Sequence, residues 1–476
     1  MSAYPMSLSA LSVSAGKSLP HGLTELRGTS FTDGTSSPAS GTIRFLDFLN
    51  KTIVGNTPTV LPAHLRASSP IDNDQLGSSI SISGNYAIAG AQFADPGGRS
   101  SAGAAYIFER TSASWVQRAV LIPSDSTASD YFGKSVSISG DYAIVGADGS
   151  DPGSLSRAGA AYIFKKDTSG TGWTQQAKLV ASDKTAYDYF GGSVSISGDY
   201  AIVGADGQDP NGQSSAGAAY IFKRSGSSWY QEAKLVASDA AYADSFGSGV
   251  SISGDYVIVG AYREDPSGVS NAGSAYIFER SGTLWPQQGK LVANDTAASD
   301  QFGRSVSISG GYAIVGAGFA DPNGVSTAGA AYVFVRTTTT TSTSTTTTWS
   351  QQAKLTASDK AVNDIFGGSV SISSTGYAIV GASSADPNGI SGGGAAYIFK
   401  RSLRRTFFGS YYYIWYQQAK LISPNIGSGD YFGSSVSIDG DRAVAGATRE
   451  YVNSVRGGAG HVFKRDANGT WSNLTG

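Results

Sequence analysis

The residues of this 476-residue chain that could do chemistry are mostly aspartates that recur at fixed places. Carboxylates can bind Ca²⁺ or sugars, but in turns they also accept hydrogen bonds from backbone amides. Because these aspartates recur so regularly, we expect turn capping. One set stands two residues before a Phe-Gly or Leu-Gly step: Asp74, Asp130, Asp188, Asp244, Asp300, Asp364 and Asp430. A second set stands in Asp-Pro steps of the loops between the second and third strands of the repeat: Asp95, Asp151, Asp209, Asp265, Asp321 and Asp386.

No combination of side chains in the sequence predicts catalysis. The three histidines, His21, His64 and His461, are scattered along the chain, and no nucleophile, base and orienting group can be assembled from them. The chain has no cysteine, which excludes thiol nucleophiles, disulfides and cysteine-based metal sites. We therefore expect no catalytic residues, no metal ligands and no cofactor, and we expect that the protein is not an enzyme.

The composition of the chain limits the kinds of partner that we expect it to bind. The net charge is −2 and only 15% of residues are charged, so we expect no basic surface for nucleic acid or for a membrane. No stretch approaches the roughly 20 apolar residues that a membrane-spanning helix needs. The 62 glycines, together with frequent Ser, Thr and Tyr, are typical of extracellular and cell-surface proteins, and we expect that location.

A repeat of about 56 residues positions the recurring aspartates. Its clearest copy runs from residue 190 to 245, and the pattern begins again at Phe246. Within this copy, residues 192–197 alternate Val and Ile with serine, which predicts a strand. Three further strands are predicted at 200–205, 217–223 and 229–236. The seven copies begin at Leu76, Phe132, Phe190, Phe246, Phe302, Phe366 and Phe432.

A four-stranded antiparallel unit cannot bury both of its faces alone, so its copies must stack. The sequence therefore predicts an all-β fold, a seven-bladed β-propeller of four-stranded antiparallel blades over residues 59–476, with an N-terminal extension. The short serine side chains suit the strand nearest the crowded axis. Each repeat also holds one tryptophan, which predicts a role in blade packing: Trp115, Trp173, Trp229, Trp285, Trp349, Trp415 and Trp471.

The two ends of the chain predict how the ring closes. Residues 1–58 form a low-complexity arm, in which only 41–54 is apolar enough to predict one or two extra strands. Residues 63–68 and 74–77 align without gaps on the end of a fourth strand and the following Phe-Gly step. We therefore expect residues 59–68 to join the last blade, whose outer strand comes from one terminus or from both.

Two turns between the third and fourth strands are enlarged. Residues 337–348 are an unbroken Thr/Ser run, read either as a solvated loop or as an O-glycosylated stalk that includes Thr337 and Thr345. The second enlarged turn combines arginines with aromatic side chains, as protein interfaces do, although a hairpin packing on its own aromatics fits equally well. The candidate interface residues are Arg401, Arg404, Arg405, Phe407, Phe408, Tyr411, Tyr412 and Tyr413. Sequons predict N-glycosylation, in a host that glycosylates, at Asn50, Asn294, Asn468 and Asn473.

The repeat resembles the FG-GAP repeat of integrin alpha-chain propellers and, more closely, of secreted microbial proteins. The resemblance rests on the Phe-Gly step, on Gly-Ala after the second strand, as at Gly204-Ala205, and on the Gly-Ala-Ala-Tyr-Ile-Phe and Trp-x-Gln-Gln-Ala-Lys-Leu sequences. It covers residues 59–475 and implies an extracellular propeller. Integrin-type repeats hold Ca²⁺ in an Asp-x-Asp-x-Asp-Gly loop, but here that loop is only Gly-Asp, as at Gly198-Asp199, so the calcium role is not carried over.

Together these observations predict a non-catalytic extracellular structural or adhesion module. Its partners would be proteins, either itself or a cell-surface protein, or glycans. A strand of the arm could add to a neighbouring subunit's sheet and build a homo-oligomer, filament or surface layer. The alternative is a carbohydrate-binding or carbohydrate-active propeller with its site on the loop face.

Overall fold

The computed structural model describes residues 25–31, 39–44, 64–112, 114–170, 172–341, 345–406 and 410–473. The chain divides into two compact units, Met1–Leu61 and Pro62–Gly476. In the first unit, β1 (Glu25–Phe31) pairs with β2 (Ala39–Arg44) in an antiparallel hairpin. This hairpin begins before the segment 41–54 in which extra strands were expected, and residues 45–54 lie outside the described part of the chain.

The second unit consists of seven antiparallel sheets, which confirms the predicted propeller of four-stranded blades. The chain enters it through β3 (His64–Leu65). Blade 1 contains β4 (Ser79–Ser83), β5 (Tyr86–Ala91), β6 (Ala104–Arg110) and β7 (Trp115–Leu121). Blade 2 contains β8 (Val136–Ser139), β9 (Tyr142–Ala147), β10 (Ala160–Lys166) and β11 (Trp173–Leu179). Blade 3 contains β12 (Val194–Ser197), β13 (Tyr200–Ala205), β14 (Ala218–Ser225) and β15 (Ser228–Leu235).

The remaining blades follow the same order. Blade 4 contains β16 (Phe246–Ser253), β17 (Tyr256–Ala261), β18 (Ser274–Glu279) and β19 (Gln287–Leu291). Blade 5 contains β20 (Ser305–Ser309), β21 (Tyr312–Ala317), β22 (Ala330–Thr340) and β23 (Thr345–Leu355). Blade 6 contains β24 (Phe366–Ile372), β25 (Tyr377–Ala382), β26 (Ala395–Arg405) and β27 (Tyr411–Leu421). Blade 7 contains β28 (Phe432–Asp439), β29 (Arg442–Ala447), β30 (Ala459–Arg465) and β31 (Trp471–Asn473).

The outer strand of blade 7 is shared between the two ends of the propeller. β3 pairs with β30 at His64–His461 and Leu65–Gly460, while β31 pairs with the other end of β30, from Phe463 to Arg465. The expectation that the first strand joins the last blade is confirmed. We call the place where β3, β30 and β31 meet the seam.

The serines of the first strand of each blade bond the ring together at its axis. In blade 2, Ser135 and Ser137 accept hydrogen bonds from the backbone N–H groups of Val194 and Ile196 in blade 3, at 3.0 and 3.2 Å. Bonds of this kind occur at all seven blade interfaces, including the one between blades 7 and 1. Serine is therefore an acceptor for the neighbouring blade as well as a small side chain.

The Phe-Gly and Gly-Ala steps meet across each blade interface. A Cβ atom on Gly204 would lie 1.9 Å from the carbonyl oxygen of Gly247, so only glycine fits there. Gly247 itself has a φ of 97°, a conformation that side-chain-bearing residues rarely adopt. The phenylalanine of the same step, Phe246, is fully buried against Tyr276 and Phe278.

The tryptophans pack between blades at the outer part of the ring, as predicted. Trp229 of blade 3 makes an edge-to-face contact with Tyr142 of blade 2, with 6.2 Å between ring centroids. Six of the seven interfaces contain this Tyr–Trp contact. At the interface between blades 7 and 1, Arg442 takes the tyrosine position.

Candidate functional site

The recurring aspartates cap turns. Asp188 accepts hydrogen bonds from the backbone N–H and the hydroxyl of Thr185, both at 2.6 Å. In the other set, Asp209 accepts a bond from the backbone N–H of Ser215 at 2.7 Å. Equivalent capping bonds recur around the ring. The turn-capping interpretation of these carboxylates is therefore confirmed.

The two enlarged turns form long hairpins on adjacent blades. Each strand of β22–β23 and of β26–β27 has 11 residues, against 8 in β14 and β15. The two hairpins lie next to each other, since β23 contacts β27. Together we call their described residues, 337–341, 345–348, 402–406 and 410–414, the hairpin surface.

The second hairpin carries the predicted interface residues. Tyr411, Tyr412 and Tyr413 are 65%, 49% and 45% exposed, and they stand opposite Arg405, Arg404 and Leu403 in the β26–β27 register. The Arg401 guanidinium lies 3.2 Å from the centroid of the Tyr413 ring. Some of the aromatic area is therefore covered by the hairpin's own arginines, as in the self-packed interpretation, while much of it stays exposed. Phe407 and Phe408 lie outside the described residues.

The predicted glycosylation residues have mixed positions. Asn294, Asn468 and Thr337 are exposed, as a modified side chain must be. Asn50 lies outside the described residues. The positions of Asn473, in β31, and of Thr345, in β23, are described for the backbone alone.

A repeated contact joins neighbouring blades near the rim. In blade 3, Lys234 of β15 lies over the ring of Tyr220 in β14, and both side chains bond to Asp183, which follows β11 of blade 2. Burial alone would raise the pKa of Asp183, but its bonds to Lys234 and Tyr220 lower it overall. The Lys–Asp ion pair and the lysine over its tyrosine recur at five consecutive interfaces.

Blade 7 replaces every member of this contact. His461 stands at the tyrosine position of β30, His64 of β3 stands at the lysine position, and Asn425 takes the place of the aspartate. The two imidazole rings meet edge to face, with 4.7 Å between their centroids. Glu450, from the loop after β29, lies 2.5 Å from His461 Nε2 through its Oε2 atom. Arg66 donates a hydrogen bond to the other oxygen of Glu450, Oε1, at 3.2 Å.

In this cluster of His64, His461 and Glu450, the last two residues are buried and His64 is half-buried. His461 is 0% and Glu450 is 1% exposed. Burial, together with His461 and Arg66 nearby, lowers the pKa of His64 to about 3, so its ring is neutral at physiological pH. Burial alone would raise the pKa of Glu450, but the hydrogen bond with His461 and the charge of Arg66 lower it overall. Among the described residues, these three are a group of histidine and acidic side chains close enough to hold a metal ion.

Sequence reasoning treated these histidines as scattered, although the signal that joins them was present. Residues 63–68 align on a fourth strand, which puts His64 at the place of Lys234, and His461 falls at the place of Tyr220. Those two positions are paired in blade 3. Applying that pairing to β3 would have predicted the contact between His64 and His461.

The neighbouring Ser423 does not turn the cluster into a catalytic triad. Its hydroxyl lies 3.5 Å from His461 Nε2, the same nitrogen that contacts Glu450. In a Ser-His-acid triad, the serine and the acid use different nitrogens of the imidazole. Ser423 is also only 1% exposed, so a substrate cannot reach its hydroxyl in this arrangement.

A shallow cavity opens on the loop face between blades 1 and 2, with a volume of about 230 Å³. It combines aromatic and charged side chains from the loops after the second strands and from the Phe-Gly approach. Burial raises the pKa of Asp148, and Lys134, 4.0 Å away, opposes that rise. The lining includes Phe93, Tyr131, Lys134, Asp148, Arg157 and Tyr189.

Comparison with known protein families agrees with the repeat. The FG-GAP repeat pattern matches residues 60–108, 115–164, 173–222, 229–278, 285–334, 349–399 and 415–463. The crystal structure of Sqt1 from Saccharomyces cerevisiae is similar with a TM-score of 0.43 and 9% identity, over 87% of this chain and 88% of that chain. No curated protein matches this sequence. Among the described residues, no helix is long and apolar enough to span a membrane. Because the pattern matches seven segments that together make up most of its length, the chain belongs to the FG-GAP repeat family.

Proposed function

We propose that the protein is a non-catalytic extracellular adhesion module that binds a partner protein through the hairpin surface. The exposed row Tyr411, Tyr412 and Tyr413 carries this proposal. Tyrosine and arginine are enriched among the residues that dominate binding energy at protein interfaces. FG-GAP repeats are also typical of extracellular or surface proteins.

The side chains that could do chemistry support a non-catalytic role. The capping aspartates are engaged with backbone amides, and the axial serines accept bonds from the next blade. Ser423 and His461 are buried and lack the geometry of a triad. The bonds of the aspartates and serines hold the turns and the ring together, which supports a structural role for these groups.

Attachment of protein-coated beads to cells of the source organism, counted under flow, tests the proposal. Replacing the three tyrosines by serine (Y411S/Y412S/Y413S) should lower attachment at least tenfold, because losing a dominant interface residue costs about 2 kcal/mol or more. The matched control is Y187S/Y242S, which removes two tyrosines that are 55% and 75% exposed elsewhere on the ring. Equal attachment by both variants and by the wild type would rule out the hairpin surface.

Self-assembly through the arm is a narrower form of this proposal. β1 and β2 form a two-stranded sheet, and among the described residues no third strand joins it. Unpaired strand edges are templates for a strand from another subunit. Light scattering on the full chain and on a variant that begins at Thr57 tests this idea, since large species should form only with the arm present.

The cavity between blades 1 and 2 supports a second candidate function, carbohydrate binding. Its aromatic rings can stack on a sugar, while Asp148 and Arg157 can bond to hydroxyl groups. Glycan-array binding by the wild type, lost in Y131A and kept in Y411S/Y412S/Y413S, would favour this function over protein adhesion. Binding of no glycan would remove it.

A further inference from the structure

The histidine nitrogens at the seam are buried without enough hydrogen-bond partners. Among the described residues, both ring nitrogens of His64 lack a hydrogen-bond partner, and so does Nδ1 of His461. Buried polar atoms in folded proteins nearly always have one, so orphaned nitrogens call for an explanation. A neutral imidazole nitrogen without a proton is also a metal ligand.

We propose that His64, His461 and Glu450 bind one Zn²⁺ ion that fastens the first strand of the propeller to its last blade. Their ligand atoms lie within 4.8 Å of one another. In a tetrahedral zinc site with bonds of about 2.0–2.1 Å, ligand atoms lie roughly 3.3 Å apart, so small side-chain rotations complete the site. Two imidazoles and one glutamate are a known set of protein ligands for zinc, in which water takes the fourth position.

The residues around the cluster suit this role. Arg66 holds Oε1 of Glu450, while Oε2 faces His461 and also accepts a hydrogen bond from Ser423 Oγ at 3.1 Å, so Oε2 is the oxygen that would bind the ion. Ligating carboxylates are commonly held by such outer hydrogen bonds. The Arg66 side chain is 30% exposed, so water partly screens its charge from the ion. When Zn²⁺ replaces the bond between His461 Nε2 and Glu450, the shared proton leaves to solvent.

The position of the cluster gives the ion a structural task. β3 is joined to β30 through only two register pairs, although it closes the whole ring. A link between residues 64 and 461 closes a very long loop of chain, and cross-links that close long loops restrict the unfolded state most. At the equivalent places the five regular interfaces have tyrosine and lysine, and a charged lysine cannot ligate a metal.

Zinc titration of the metal-free full chain tests the proposal directly. Calorimetry and elemental analysis should find one Zn²⁺ per chain with micromolar or tighter affinity, and Zn²⁺ should raise the melting temperature. H64Q should weaken binding at least tenfold. The controls E264Q, which changes the aligned glutamate of blade 4, and H21Q, which changes the remaining histidine, should bind Zn²⁺ like the wild type.

A second variant is needed in case H64Q folds poorly. It replaces the histidines and Asn425 by the residues that the regular interfaces carry at those positions. H64K/H461Y/N425D carries the residues of the five regular interfaces, so it should fold, bind no Zn²⁺, and melt at a temperature that Zn²⁺ does not change. Wild-type protein that binds no Zn²⁺ would overturn the proposal. Equal Zn²⁺ binding by H64K/H461Y/N425D would also overturn it, and the cluster would then be a hydrogen-bonded pair only.

Discussion

Blade 3 and blade 7 pair side chains at the same positions of their third and outer strands. These side chains are a tyrosine and a lysine in blade 3 but two histidines in blade 7. In blade 3, Tyr220 and Lys234 share Asp183, and the charged groups of Lys234 and Asp183 are 26% and 45% exposed. In blade 7, His461 contacts Glu450 with side chains that are 0% and 1% exposed. The contact that recurs at five interfaces thus stays near solvent, whereas the cluster that replaces it in blade 7 contains the buried side chains of His461 and Glu450.

Burial decides how much each contact matters. A solvent-exposed ion pair contributes little to stability, since water screens it and ordering two long side chains costs entropy. A buried charge that loses its partner is strongly destabilising. We therefore expect the repeated contacts to tolerate substitution individually, whereas the seam should depend on each of its members.

Removing residues 1–68 should have the largest effect. This deletion takes away β3, and with it the fully buried Leu65 and the Arg66 bond to Glu450. The free energy of unfolding should fall by about 5 kcal/mol, and the melting temperature, measured by calorimetry, by roughly 10 °C.

Removing only residues 1–58 is the matched control, because it leaves β3 in place. Its melting temperature should equal that of the wild type. Identical transitions for both deletions would show that β31 closes blade 7 without β3.

Glu450→Ala should rank second. It leaves the buried His461 and the partly exposed Arg66 without their shared carboxylate, which should cost about 3–5 kcal/mol in the free energy of unfolding, measured by urea denaturation. Glu450→Gln keeps an acceptor oxygen and should cost less. If Glu450→Ala lowers the free energy of unfolding by less than about 1 kcal/mol, the cluster contributes no more to stability than the exposed Lys–Asp contacts of the other blades.

The same comparison shows why the fold could be predicted from the sequence and the buried cluster could not. Alternation of Val194 and Ile196 with serine, and the Gly204-Ala205 step, are local patterns that recur seven times, so each copy supports the others. The buried cluster occurs once, and its members His64 and His461 come from opposite ends of the propeller. The alignment of residues 63–68 predicted the closure, but the chemistry of the seam depends on which side chains that closure brings into contact.

Asp74, the first of the capping aspartates along the chain, should make stability depend on pH. Burial, opposed by a backbone hydrogen bond and reinforced by Asp95 and Asp72, raises the pKa of Asp74 to about 6 from its ordinary 3.8. The folded state thus holds the proton more tightly than the unfolded state, and this contribution is complete below about pH 4 and lost as pH rises through about 6. In the wild type, this contribution to the free energy of unfolding should therefore fall by about 1–3 kcal/mol between pH 4 and pH 7. In Asp74→Asn this part of the pH dependence should be absent, which urea denaturation at the two pH values measures.

Asp188→Asn provides the comparison within a regular blade. The hydroxyl of Thr185 bonds to Asp188 and opposes the rise of its pKa, so its substitution should change the pH dependence less. If the two variants show the same pH dependence, the bond from the Thr185 hydroxyl does not set the pKa of Asp188 apart from that of Asp74.

Lys234→Met should have the smallest effect, about 0.5 kcal/mol, because it removes one partly exposed ion pair and keeps the apolar part of the side chain over Tyr220. The bond from the Tyr220 hydroxyl to Asp183 remains, so no buried polar group is left without a partner. Urea denaturation at low and at high salt is the measurement, since the small loss should shrink further as salt screens the pair. A loss of several kcal/mol would mean that the repeated contact carries as much of the ring's stability as the buried cluster does, and exposure would then not be what separates the two.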